Sequence, residues 1–116
     1  MSDPDCLFCK IVAGDVPAEI VAESDTAIAF RDISPQAPTH VQVIPRDHYP
    51  DVAAVAAAGD VDVADLFRLA VEVASVDGVA ETGYRLVANT GAHAFQTVPH
   101  CHIHVLGGRP MGWPPG

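Results

Sequence analysis

Positive charge is scarce in this chain. Six Lys and Arg stand against fifteen Asp and Glu, for a net charge of −9. Nonspecific binding to DNA or RNA needs a positive footprint for the phosphate backbone, so no nucleic-acid partner is expected. A small anionic ligand remains open, because backbone N–H groups or histidines can hold one locally. Cysteine is also sparse. Three cysteines make an odd number, which is no disulfide framework. No apolar run approaches the roughly 18 residues of a membrane span. The start, MSDPDC, has no basic segment followed by an apolar stretch. These absences lead us to expect a reduced, cytoplasmic protein with no membrane partner.

A length of 116 residues suits one domain, read as 1–116, with residues 1–5 flexible and 109–116 an irregular tail rich in proline. A domain of this size buries a limited share of its surface, and an oligomer interface would help it. LFCKIVAG (7–14) reads as a short helix stopped by Gly14. EIVAES (19–24) and TAIAFRDI (26–33) read as a hairpin, and HVQVIP (40–45) as a third strand. DVAAVAAAG (51–59) suggests a helix between an Asp51 N-cap and a Gly59 stop. The main helix spans about 62–76. Val63, Leu66, Phe67, Ala70, Val73 and Ala74 form its apolar face, Asp62, Asp65 and Glu72 face away, and Asp77 and Gly78 end it. YRLVANT (84–90) and HCHIHVLG (100–107) complete five strands. The expected class is α+β, with one main helix on an antiparallel sheet.

The distinctive stretch is VPHCHIHVLGG (98–108). In a strand, residues two apart share a face, so His100, His102 and His104 lie on one side and Cys101, Ile103 and Val105 on the other. His100 and His104 are ~13 Å apart along a straight strand, so all three cannot serve one atom, but neighbours can. Spacing alone leaves three readings open: a solvated polar face, a metal site, or catalysis. The preceding TGAHAFQTVP (90–99) offers Gly91, Gln96 and Thr97, which suit a loop that presents donors to an anion.

HCHIHVLGG follows the pattern His–φ–His–φ–His–φ–φ, where φ is apolar. It is joined by FRDISPQAPTHVQVIP (30–45), NTGAHAFQTVPHCHIH (89–104) and the ending LGGRPMGWPPG (106–116). From about Leu7 to the last residue the chain resembles the histidine-triad (HIT) superfamily, and within it the Hint branch of nucleotide-binding proteins. The resemblance implies a HIT-like fold in a homodimer whose sheets join. It implies a purine nucleoside phosphoramidase in which His102 attacks the α-phosphorus, forming a nucleotidyl-histidine that water then hydrolyses. His104 and His40 would line the phosphate site and orient the imidazole. Asn89, Gln96 and Thr97 would hold phosphate oxygens, with Thr97 also near the leaving group. Asp32 would accept from the ribose hydroxyls, and Phe8, Val16, Phe30 and Ile33 would form the base slot. Trp113 is implied near the partner's site. Dinucleoside polyphosphate hydrolysis, another nucleotidyl transfer, or nucleotide binding without turnover are the alternatives.

Cys6 and Cys9 form a C-x2-C pair, which by itself also fits a redox motif or free thiols. Some bacterial members of the superfamily hold a structural zinc on such a pair, a later histidine and the first triad histidine. Here those positions are Cys6, Cys9, His48 and His100. Two features depart from the usual pattern: Phe95 stands where the phosphate loop usually has glycine, and Pro99 precedes the triad. His93 matches no family role.

Overall fold

A computed structural model describes residues 2–116. Helix α1 spans Leu7–Val12, followed by strands β1 (Ile20–Glu23), β2 (Ala27–Arg31) and β3 (Thr39–Pro45). Helices α2 (Val52–Ala58) and α3 (Asp60–Val76) come next, then β4 (Tyr84–Val87), a 3-10 turn (Ala92–Ala94) and β5 (Ile103–Gly107). The strands form one antiparallel sheet in the order β1-β2-β3-β5-β4. The fold is α+β, as expected.

The two-residue period of the strands sorts the side chains onto two faces. Ala27, Ala29, Val41, Val43, Ile103 and Val105 point one way and pack under α3, against Leu66, Leu69, Ala70 and Val73. Ile28, Phe30 and Ile44 point the other way and pack with Cys6, Phe8 and Cys9 of the α1 region. The second face also carries His40, Gln42 and His104, which alternate with the first set in the strand register. One face is therefore packed under α3, and the other carries a smaller apolar cluster beside the histidines.

Local signals account for the helix ends. The Asp51 side chain accepts from the Ala54 N–H, and Gly59 takes φ +135°, a conformation that suits glycine, between α2 and α3. The expected face of α3 needs correction. Phe67 is 45% exposed, while Leu69, absent from the expected set, is in the core. The buried stripe runs through Leu66, Leu69, Ala70, Val73 and Ala74, and Phe67 lies beside it. Asp62 and Asp65 do not simply face away, since they accept from the Tyr49 and Thr26 hydroxyls. Asp77 does more than end the helix. Arg31 grips it through both terminal guanidinium nitrogens at 2.8 Å and Thr39 donates to it, which ties β2 and β3 to the end of α3. These donors hold the Asp77 carboxyl below its ordinary range, the Arg31 bond foremost.

Four strands are shorter than expected: β1 and β2 lose one or two residues at their ends, which leaves Asp32 and Ile33 beyond β2. β4 stops at Val87, so Asn89 lies beyond the strand end. β5 begins at Ile103 and leaves His100 and His102 in the segment before it. The register reaches Val43↔Ile103, so continuing it would set Pro45 opposite Cys101. Proline has no N–H for the ladder. Instead the His100 ring bonds the Pro45 carbonyl, and the Cys101 N–H donates to Tyr49 O. In the segment ahead of α1, Cys6 N–H donates to Asp3 O and Asp3 N–H to Cys9 Sγ; of the span 1–5 expected to be flexible, Met1 lies outside the described residues. No helix among the described residues is long and apolar enough to cross a membrane.

Candidate functional site

On the α1 face of the sheet, five imidazoles form a bent row. His48 and His100 have ring centroids 5.0 Å apart, His102 and His104 5.0 Å, and His104 and His40 5.1 Å. Phe8 packs edge-on against both His100 and His102, bridging the two halves. Beside His102 and His104 lies a cavity of about 420 Å³. Its walls include Phe8, Val16, Phe30, Asp32, Ile33 and Thr97 from the expected set. Phe8 and Phe30 meet edge to face at 5.4 Å and are buried, while Ile33 is fully exposed at the rim. The result is a cleft with an apolar end at the phenylalanines and a polar end at the histidines.

Backbone groups set the tautomers. His102 Nδ1 lies 2.8 Å from the His100 carbonyl, which can only accept. The proton therefore sits on Nδ1, and the Nε2 lone pair is free. His40 Nδ1 accepts from the Gln36 N–H at 3.0 Å, so the His40 proton is on Nε2. That proton has two acceptors in reach, His104 Nδ1 at 2.9 Å and Asp32 Oδ2 at 3.4 Å, and the shorter contact goes to His104. His104 in turn carries its proton on Nε2. The cavity wall thus combines one imidazole with a free lone pair and one that can donate an N–H. This is what attack on phosphorus beside an anionic oxygen requires.

Burial favours the neutral rings of His104 and His40. It pushes His104 down to about 4, aided by the His102 and His40 rings, and it lowers His40 against the opposing pull of Asp32. The His40–Asp32 contact is thus between a neutral ring and a carboxylate at neutral pH. A stability consequence follows. The folded-state pKa of His104 lies below the unfolded value of about 6.5, so its contribution is complete above about pH 6.5 and is lost as pH falls toward 4. We expect the thermal midpoint to fall across that window, and His104→Gln to flatten the fall. An equal decline in the variant would assign the loss to other groups.

The remaining expected residues are placed as follows. Thr97 lines the cavity. The Gln96 amide serves its own loop, accepting from Gly91 N–H and donating to the Pro50 and Val98 carbonyls. It thereby shapes the loop that carries Thr97, and its donors do not point at the cavity. Asn89 and His40 are not part of the cavity wall, His40 standing behind His104. Trp113 is 82% exposed and lies outside the wall, on a tail tied to β4 by an Arg85 bond to the Gly112 carbonyl. Phe95 holds a left-handed φ of +60° and is 80% exposed. Leu7, Ile11 and Gln42 line the cavity and were missed. The signal for Gln42 was its place two residues after His40, on the same face of the third strand, THVQVIP.

The Cys6, Cys9, His48 and His100 donors all fall within 4.8 Å of one another. Cys6 Sγ and Cys9 Sγ lie 3.3 and 3.6 Å from His100 Nδ1, Cys9 Sγ 3.4 Å from His48 Nδ1, and the two Nδ1 atoms 3.2 Å apart. Tetrahedral zinc bonds of about 2.3 Å to sulfur and 2.0–2.1 Å to nitrogen imply edges of roughly 3.3 Å between nitrogens and 3.5 Å between nitrogen and sulfur, so these distances fit. The His100 Nε2–H donates to Pro45 O, leaving Nδ1 free to ligate. Asp32, His40 and His104 also cluster, but the His40–His104 hydrogen bond occupies the lone pair a metal would need. Cys101 is a third, separate thiol, and burial pushes its pKa to about 12, which makes it inert.

A family model described as the HIT domain matches residues 13–111. An uncharacterized HIT-like protein of Azospirillum brasilense is 48% identical over 111 residues, covering 95% of this chain and 91% of its own. The purine nucleoside phosphoramidase of Escherichia coli K12 is 44% identical over 108 residues, covering 93% and 91%. Among solved structures, a HIT family hydrolase from Legionella pneumophila superposes with a TM-score of 0.92 at 46% identity, over 97% of this chain and 100% of that one.

Proposed function

The chain belongs to the HIT domain family, and on that basis we propose that it is a hydrolase of purine nucleoside 5′-phosphoramidates. The observation that carries this reading is the His102 ring. Its Nδ1–H is fixed on the His100 carbonyl at 2.8 Å, and the ring lines a cleft whose other end is apolar. The base occupies the Phe8, Phe30, Val16 and Ile33 end, and the phosphate lies by His102, His104 and Thr97. His102 Nε2 attacks the α-phosphorus, the P–N bond breaks with its electron pair leaving on nitrogen, and the amine departs after taking a proton from solvent water. Water then attacks the nucleotidyl-histidine, returns the His102 lone pair and releases the nucleoside monophosphate. The His104 Nε2–H donates to a phosphate oxygen as charge builds there. Asp32 accepts from the ribose hydroxyls.

Zinc is proposed at Cys6, Cys9, His48 and His100. Its chemistry there is structural, a closed four-ligand staple between the start of α1, the end of β3 and the approach to β5. We further propose a homodimer. The edge strand β4, whose four residues are all half-buried, is the element that could extend the sheet, and Trp113 on the tail beside it would reach the partner.

The test is AMP release from adenosine 5′-phosphoramidate, run beside diadenosine tetraphosphate. Faster cleavage of the phosphoramidate is expected. Preference for the dinucleotide would move the protein to polyphosphate hydrolysis on the same site, and binding of AMP with no cleavage of either would leave a nucleotide-binding protein.

A further inference from the structure

We infer that Gln42 reads the sugar of the bound nucleotide, as a specificity-determining residue that works with Asp32. The inference rests on the nucleotide reading above and goes beyond it.

Three residues stand side by side across the sheet. The register pairs Phe30 with Gln42 and Gln42 with His104, so they form one row on the cavity face of β2, β3 and β5. Neighbouring strands are about 4.8 Å apart, which places Phe30 and His104 roughly 10 Å from each other with Gln42 between them. All three line the cavity. A nucleotide with its base at Phe30 and its phosphorus beside His104 sets its sugar over Gln42.

The Gln42 amide is oriented. Its Nε2 donates to Asp32 Oδ2 at 2.8 Å, and the reverse orientation would face the amide oxygen toward a carboxylate. Oε1 is consequently left as a buried acceptor with no partner among the described residues. Buried acceptors are rarely left unpaired, and the exceptions call for a reason. An apolar residue at this place would pack in the cleft without that cost. Oε1 is closed from solvent, but the terminal torsion of glutamine is soft, so a small turn presents it to a ligand at the wall.

The chemistry selects a hydroxyl of the sugar. The other Asp32 oxygen already accepts from the Ser34 N–H. Asp32 is thus held on both sides, with Gln42 supplying one of the holds. Gln42 and Asp32 together present acceptors to vicinal hydroxyls, each of which has one proton to donate. A deoxy sugar leaves at least one acceptor unpaired, and this is how a site that bonds a hydroxyl rejects the analogue lacking it.

The experiment is calorimetric binding of AMP, 2′,3′-dideoxy-AMP and inosine monophosphate to the wild type and to Gln42→Leu. Gln42→Met is carried alongside in case the branched side chain disturbs packing, and circular dichroism checks the fold. Loss of the contact should weaken AMP roughly three- to tenfold. The dideoxy nucleotide should bind wild type and variant alike, and inosine monophosphate should follow AMP. Equal weakening of AMP and the dideoxy nucleotide would reduce Gln42 to a packing residue and overturn the inference. So would unchanged AMP affinity, or a loss that follows the base and not the sugar. Wild-type protein that binds no AMP would remove the nucleotide reading itself, and this inference with it.

Discussion

His102→Ala is expected to lower phosphoramidate turnover by about 10⁴-fold or more while AMP still binds. The size follows from the role. If His102 is the nucleophile proposed, its removal closes the two-step path through a nucleotidyl-histidine, and no other described imidazole at the cavity has a free lone pair in that position. His104 has its Nδ1 engaged by His40 and offers an N–H to the cavity. Cys101 is a protonated, buried thiol. AMP binding should persist because the apolar end of the cleft and Asp32 are untouched, and the alanine removes a ring without adding bulk. Single-turnover assays and calorimetry on one preparation read both halves. Turnover that survives in the variant would show that His102 is not the nucleophile. Loss of turnover and binding together would point to a collapsed cleft, and the Phe8–His102 contact is the place to look for it.

Purified without chelator, the protein is expected to carry about one zinc per chain, and removing it should lower the thermal midpoint by roughly 10–20 °C. The magnitude is smaller than in a zinc finger, because the core under α3 does not depend on the metal. The effect stays large because the site ties together segments far apart in sequence: Cys6 and Cys9 at α1, His48 after β3, and His100 ahead of β5. Metal binding must also displace protons from both thiols. Burial, followed by the neighbouring Cys6 and Asp3, raises the Cys9 thiol, although a bond to the Asp3 backbone opposes this. Zinc should therefore be lost on mild acidification as well as to chelators. Cys9→Ser should reproduce the loss of metal and of stability together. Elemental analysis showing no metal, with a midpoint indifferent to chelator, would return the four residues to an ordinary buried cluster.

The local elements were readable from the chain because their signals are local. Asp51 and Gly59 bracket α2 through a side-chain cap and a positive φ, and both are properties of single residues. The alternation of His102 and His104 with Ile103 and Val105 follows from the two-residue period of extended chain. The HIT resemblance rested on residue types at fixed spacing, and the family comparison agrees with it. What the sequence by itself determined, then, was the α+β class, the order of the elements and the family.

The tertiary structure decided what those residues do to one another. Which nitrogen of His102 is free depends on the His100 carbonyl, and the proton on His104 depends on a chain that begins at the Gln36 N–H. No spacing encodes those directions. The shortened β5 came from Pro45, a residue on another strand, and the exposure of Phe67 from the rotation of α3 over the sheet. Gln96 suits an anion donor by residue type, but its amide is bonded within its own loop and to Pro50, and Gln42, which no motif singles out, donates to Asp32. The reason is common to all of these. Hydrogen bonds are directional and each donor can be used fully only once, so the function of a polar side chain is settled by which partners the fold brings within about 3 Å of it.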